Sequence, residues 1–499
     1  MPHALAQSIE IFTAILAVAG MGYFLAALIA ARLFLNARQA PLPAFAPGVS
    51  ILKSLKGLDP GMIDAFRSHC RQSYAGNYEL LFGVSTLSDP AAAAVAQLQA
   101  EFPDRSIRLV ECPQRLGTNG KVSTLVQLAA HARYDFLVIN DSDITVSPRY
   151  IERVMACFAP TATSLEIQQA AIQIDSDFST CQGATLEAAE KLQISGKIGE
   201  IHPSGPKGHA DFAAFTARLK SCPDTKRPFE SASTSFPPAS LVVPQMQQRE
   251  SRALAPEERL SESSQAHANY SQQVGLVTAL YRGRAHGTLP SRFESLGIAT
   301  DFQAGVLLSK WIEGGLRYGL GSTLAVRREA LEKIGGLQVL VDHLADDYEL
   351  GARIAEAGYS VALSQEVVET SVPPYAWRGY IDHQLRWART VRDSRPWGYV
   401  GLIFTHGLGW ALLNLLASGL SPLSLWLLGL SFFLRLTLAM TVGAEVLGDH
   451  QVLPNLWLLL FRDLTAMGVW VAGFAGHTII WRGDCFTLKN GKLHKAEPL

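Results

Sequence analysis

Residues 11–31 carry no charge. A helix of about 20 apolar residues is long enough to cross the hydrocarbon core of a bilayer, so the chain must place this run in a membrane or bury it whole. Basic residues follow the run, as Arg32 and Arg38, where a cleaved leader would carry them in front. Residues 8–35 therefore read as an uncleaved anchor, with the N-terminus outside and the following segment in the cytoplasm. Three further apolar stretches, roughly 399–416, 420–442 and 453–480, make a C-terminal membrane region over 398–480, and only SGLSP separates the first two. The third contains Arg462 and Asp463, a charged pair expected to face protein or an interface. A basic tail, 481–499, ends the chain. With 48% apolar and 17% charged residues and a mean hydropathy of +0.14, the whole reads as a soluble domain joined to membrane spans.

Between anchor and C-terminal spans, short branched-residue runs alternate with helical patterns. Strands are expected at 49–55, 78–86, 106–112, 134–141 and 274–284, with helices at PGMIDAFRSHCRQ and PAAAAVAQLQAEF. This βαβ rhythm predicts an α/β, Rossmann-like, mostly parallel sheet covered on both faces. Ligands of such sheets sit at the carboxyl ends of the strands. Residues 161–273 break the rhythm, being rich in Ser, Gln and Pro, and read as a low-complexity, unstructured insertion, with a small accessory domain as the rival. The soluble part is thus divided into 45–160 and 274–397. A net charge of −1 argues against a nucleic-acid partner. The six cysteines show no metal spacing and fit a reducing cytoplasm.

The tripeptide DSD occurs twice. Asp141 and Asp143 close the apolar run FLVIN; Asp175 and Asp177 lie in the insertion and read as a polar turn. Two carboxylates one residue apart at a strand end can share a hard cation such as Mg²⁺ or Mn²⁺ and a diphosphate. Downstream, Asp346 and Asp347 precede an amphipathic helix. One could cap it, leaving the other free as a general base. In 379–397, His383, Gln384, Arg386, Trp387, Arg389, Arg392 and Arg395 crowd one helix before the spans. That helix suits anionic headgroups or a diphosphate against an aromatic wall.

Taken together, LKSLKGLDP, LSDP, NGKVSTL with NDSD, DDYELG and HQLRW followed by spans resemble the ceramide glucosyltransferase family, inverting glycosyltransferases of GT-A fold. The runs YRGRAHGTLPSR and DHQLRWARTVRDSRPWGY are similar to its bacterial hopanoid-biosynthesis branch. The resemblance covers nearly the whole chain except about 161–273. It implies a UDP-sugar donor, a membrane lipid acceptor and a divalent metal. It places Asp89 near the nucleotide, Asp141 and Asp143 on metal and diphosphate, and Asp347 as the base, with Asp346 before it. Lys56 and Lys121 would touch phosphate or uracil. The family's (Q/R)xxRW motif falls on His383, Arg386 and Trp387, with His where Gln or Arg is usual. The rivals are a processive polysaccharide synthase, which would have more spans, a membrane transporter or lipid-binding protein, and an insertion-inactivated scaffold.

Overall fold

The computed structural model of the protein describes residues 2–160, 273–481, 484–489 and 491–495. Residues 161–272, which hold almost all of the expected insertion together with Asp175 and Asp177, lie outside them. The expected strands form within two residues of their predicted ends: β1 (Val49–Ser54), β2 (Tyr78–Val84), β3 (Ile107–Glu111), β4 (Phe136–Ile139) and β5 (Val274–Ala285). Two more complete the sheet, β6 (Leu324–Arg327) and β7 (Ser360–Val372). The order is β3-β2-β1-β4-β6-β5-β7. Pairing is parallel for β1 with β2 and β4, β2 with β3, and β5 with β7; β6 runs antiparallel to β4 and β5.

β1 and β4 are buried nearly throughout because helices cover both faces. Met62–Cys70 and Pro90–Glu101 pack Phe66, Val95 and Leu98 on Leu80 and Phe82, while Gly120–Ala129 packs Val122, Leu125 and Leu128 with Leu52, Leu81 and Ile139. The winding reverses between β1 and β4, since β2 and β3 lie to one side and β4 to the other. A crevice opens at such a switch point, outside the carboxyl ends of the strands. Lys53 of β1 and Asp141 after β4 are both there.

Among the described residues three helices are long and apolar enough to cross a membrane: Leu5–Ala37, Pro422–Val446 and Val452–Gly473. A fourth candidate is a pair, Pro396–Thr405 and Gly407–Ala417, bent by 59°. The anchor helix, Pro2–Ala37, organises the others. Asn414 donates to the Glu10 carbonyl (2.8 Å) and Thr13 Oγ1 (3.2 Å), Arg32 pairs with Glu445 at 2.6 Å, and Arg38 donates to the Val446 carbonyl at 2.9 Å. Gly20 and Gly407 let two backbones approach, as small residues do in membrane bundles. The last apolar helix ends at Gly473, short of the expected 480. Instead of a plain tail, Thr478–Trp481, Asp484–Lys489 and Lys492–Lys495 form an antiparallel sheet. Gly476 leads into the sheet and Gly491 lies between its last two strands, both at positive φ, and Phe486, Leu488 and Leu493 bury against Ile479 and Leu344.

A β-carbon on Gly20 would lie 2.2 Å from Gly407 Cα, whereas one on Gly22 meets nothing within 4 Å. Gly20→Ala is therefore expected to lower the Tm of the detergent-solubilised protein, with overpacking that costs about 1–3 kcal/mol. Gly22→Ala, which changes helix propensity equally, should not lower it. Equal Tm values for the two variants would contradict the close packing.

Candidate active site

The site is built on the ends of β1 and β4. Asn140, buried behind Asp141, donates to the Ser322 carbonyl (2.7 Å) and the Tyr150 hydroxyl (2.9 Å), fixing the strand end. The Lys53 ammonium, buried under the turn, donates to the Asp141 carbonyl at 3.0 Å. Burial lowers its pKa to about 7 against the pull of Asp143 and Asp141. Sequence reasoning passed over Lys53, though a lysine inside the apolar run VSILKS was the available signal. Ser142 donates to Asp59 (2.5 Å). Asp143 is turned to β7, where its Oδ2 accepts from Thr370 Oγ1 (2.6 Å) and the Ser371 N–H (2.9 Å). Burial and then the neighbouring Asp141 raise the Asp143 pKa.

Asp346 and Asp347 open the helix Asp346–Glu356. Neither is its N-cap, which is Ala345, and both sit in the first turn with Glu349, where acidic residues favour the helix dipole. Lys121 joins the two acidic pairs, 2.9 Å from Asp141 Oδ1 and 3.3 Å from Asp346 Oδ2. Burial works to discharge this ammonium, but Asp141 and Asp346 outweigh it and hold the pKa well above the ordinary value. Among the described residues Asp347 forms no ion pair, and Lys121 acts on it only at longer range. Its Oδ1 accepts from the Tyr348 N–H at 2.8 Å, while burial first and Asp346 second raise its pKa to about 6. A β-carbon on Gly321 would stand 3.1 Å from Asp347 Oδ2 and 3.7 Å from Asp141 Oδ2. The two carboxylates thus face one small space that the glycine leaves open.

The loop before Asp346 is pinned from two directions. Asp342 Oδ1 accepts from the Thr118 N–H (2.9 Å) and hydroxyl (3.1 Å), and Asn119 Nδ2 donates to the His343 carbonyl (2.8 Å). From the other side, the Leu493 N–H donates to the Asp342 carbonyl (2.8 Å) and the Leu344 N–H to that of Gly491 (3.2 Å).

The remaining expected residues fall in two places. Asp89 caps the helix Pro90–Glu101 through the Ala91 N–H (2.9 Å) and accepts from the Gly57 N–H (3.0 Å), so it braces the loop after β1; Lys56 is exposed on that loop. His383, Arg386 and Trp387 lie on the helix Trp377–Ser394. His383 Nδ1 is 2.9 Å from Glu294, a buried carboxylate on Leu289–Gly297, and 3.2 Å from the Tyr375 hydroxyl. Its ring lies 4.9 Å from that of Trp387. Glu294 was not foreseen, and its helix carries no motif. Arg389 and Arg392 are engaged by carbonyls rather than lying open: Arg389 donates to Ala475 and Thr478, Arg392 to Gly473 and Gly476.

Among the described residues no group of three or more His, Cys, Asp or Glu could hold a metal by itself. Two carboxylates do suit a cation that keeps water and phosphate ligands. Lys121 pairs with Asp141 and Asp346 and Lys53 lies beneath Asp141, while Asp143 lines a cleft with Arg284 and His286; four carboxylates this close suit a hard cation. In such a site Asp141 and Asp143 would be the protein ligands.

The sequence model described as Glycosyl transferase family 21 matches residues 12–188 and 264–494. The ceramide glucosyltransferase of Komagataella phaffii is 28% identical over 124 residues, a quarter (24%) of each chain. Ceramide glucosyltransferase 3 of Caenorhabditis elegans is 21% identical over 454 residues, 89% of this chain and 73% of that one. Among solved structures, the mannosyltransferase PcManGT of Pyrobaculum calidifontis, in complex with GDP-Man and Mn²⁺, is similar at a TM-score of 0.40 and 15% identity, over 93% of this chain and 97% of that one. That score is too low to carry a functional comparison.

Lys121→Met leaves the carboxylates without the cation that links them. Breaking a buried pair costs about 3–5 kcal/mol, and the part exposure of Asp141 lowers that figure. The lost attraction acts on ionised carboxylates, so protonation should relieve the defect. The Tm deficit against the native protein is expected to be larger at pH 8 and to shrink as the pH is lowered. A deficit independent of pH would contradict the charge balance.

Proposed function

The chain belongs to glycosyl transferase family 21, and on that premise we propose that it moves a hexose or N-acetylhexosamine from a UDP-sugar to a hydroxyl of a membrane lipid, ceramide-like or hopanoid, with inversion at the anomeric carbon. The observation that carries this reading is Asp347: a buried carboxylate with no ion pair among the described residues, its pKa raised to about 6 by burial and Asp346, sharing an open space with Asp141. An acid of that pKa is ionised at neutral pH yet basic enough to take a proton from an alcohol as it attacks. Asp141 and Asp143 would take the diphosphate side, and a Mg²⁺ or Mn²⁺ ion held there would neutralise the departing UDP. Lys121 holds Asp141 in place. Gly321 leaves room for the reacting oxygen between the two acids.

The membrane helices support a lipid acceptor. The helix carrying His383, Arg386 and Trp387 joins the apolar segments directly, so an acceptor that stays in the bilayer reaches the acids without leaving it. In this reading the protein is a multi-pass membrane protein, with its catalytic domain on the cytoplasmic side.

Asp347→Asn is expected to abolish sugar transfer while leaving UDP binding, measured by calorimetry, largely intact. Substantial retained transfer would overturn the base assignment. In the native enzyme the transfer rate should rise with pH around a midpoint near 6 as Asp347 ionises. Asp143→Ala is expected to weaken metal-dependent UDP binding, and Asp177→Ala to leave it unchanged; equal effects would mean that the other DSD holds the metal.

A further inference from the structure

The helix Val452–Gly473 has the length and composition of a span. At about 1.5 Å per residue, such a helix reaches across the apolar core, so its two ends should be found on opposite faces. They are not. At its start, Arg282 of β5 donates to the Leu447 and Gly448 carbonyls (3.1 and 2.9 Å), and Gln451 exchanges bonds with the Ala285 N–H (3.0 Å) and the Gly283 carbonyl (3.1 Å). At its end, Arg392 of the catalytic helix donates to the Gly473 carbonyl at 2.6 Å, and the strands that follow lock onto Asp342 and Leu344. At its middle, Arg462 pairs with Asp301 at 2.7 Å, and Asp463 takes both arms of Arg435 at 2.7 and 2.9 Å. The start, centre and end of the helix are thus each bonded to the catalytic domain or the helix beside it, through Arg282, Asp301 and Arg392, and its other bonds run to the apolar segments, from Asp463 to Arg435 and between Trp470 and Tyr399.

The bonds of the other apolar helices fit the expected crossings. The bonds from Asn414 to Glu10 and Thr13 place Gly407–Ala417 beside the N-terminal half of the anchor, and those from Arg32 and Arg38 to Glu445 and Val446 return Pro422–Val446 to its C-terminal end. The tight turn at 418–421 therefore lies away from the catalytic domain, and residues 447–451 lie beside it.

We propose that Val452–Gly473 does not cross the membrane but lies along its surface, with the lipid headgroup–acyl boundary as its partner. Its outward stripe supports this: Leu453, Trp457, Phe461 and Val471 are between 50% and 64% exposed, at helical spacing, while Arg462 and Asp463 are buried on the opposite side. An exposed apolar stripe with aromatic residues, continuous with spanning helices, fits an interfacial helix. Among the described residues the bent pair and Pro422–Val446 then make the return crossing after the catalytic domain, and the C-terminal sheet stands on the catalytic side. The helix also seats the bilayer surface against Leu289–Gly297, where Arg462 meets Gly297 and where Glu294 holds His383. This inference rests on the reading of the chain as a membrane protein.

The test is labelling with a membrane-impermeant maleimide in sealed vesicles of either orientation, read by gel shift. Three probes are used: Cys485, exposed in the native chain and scored against Cys485→Ser; His450→Cys in the Cys485→Ser chain; and Leu420→Cys in the same chain. Retained UDP binding checks that each variant is folded. Cys485 and His450→Cys are expected to react from the same face and Leu420→Cys from the opposite one. Reaction of Cys485 and His450→Cys from opposite faces would show that the helix crosses and overturn the inference alone. Reaction of all three from both faces of sealed vesicles would overturn the membrane reading and the inference with it.

Discussion

Four carboxylates, Asp141, Asp143, Asp346 and Asp347, converge at the switch point of the sheet with two ammonium groups among them. Lys121 bridges Asp141 and Asp346; Lys53 supports the turn from beneath. The arrangement is poorly compensated, and its chemistry follows from that. Asp347 is the acid left over, so burial and repulsion raise its pKa. The excess negative charge by Asp143 suits a divalent cation. A site with its charges fully paired would be more stable and would offer neither a base nor a metal ligand.

That crowding must be held against its own repulsion. The structure does so by anchoring backbone rather than by adding cations. Asp342 and Asn119 stitch the loop before Asp346 to the loop before Lys121. The C-terminal sheet clamps the same loop from outside, and it is itself tied through Arg389 and Arg392 to the helix that carries His383, Arg386 and Trp387. The last segment of the chain thus links the loop before Asp347 to the helix that carries His383.

Much of this was legible in the sequence because it depends on local pattern. The branched runs end where β1 to β5 end, and the acids at those ends follow from the winding of a parallel sheet. The choice of Asp141 and Asp143 over Asp175 and Asp177 came from the strand and helix that frame the first pair. What escaped depends on tertiary contact. Lys53 reads as a solvent-facing lysine until both faces of β1 are covered. Glu294 lies in an undistinguished helix and matters only where His383 meets it. Gly321 carries no signal apart from the two carboxylates that face it. Hydropathy gives Val452–Gly473 the composition of a span because it counts apolar residues without asking what the ends are bonded to. The strands after Gly473 are too short and too charged to stand out from a basic tail.

The central claim is that these acids carry out sugar transfer to a lipid at the membrane surface. The most direct test is release of UDP by the purified, detergent-solubilised protein. UDP-glucose and UDP-N-acetylglucosamine would each be offered with ceramide, with a polyhydroxylated hopanoid, or with no lipid, in the presence and absence of Mg²⁺ or Mn²⁺. The account predicts release that requires both a lipid and a metal, with the preferred pair naming donor and acceptor. Release unaffected by every lipid, or no release from folded protein that binds UDP, would contradict it.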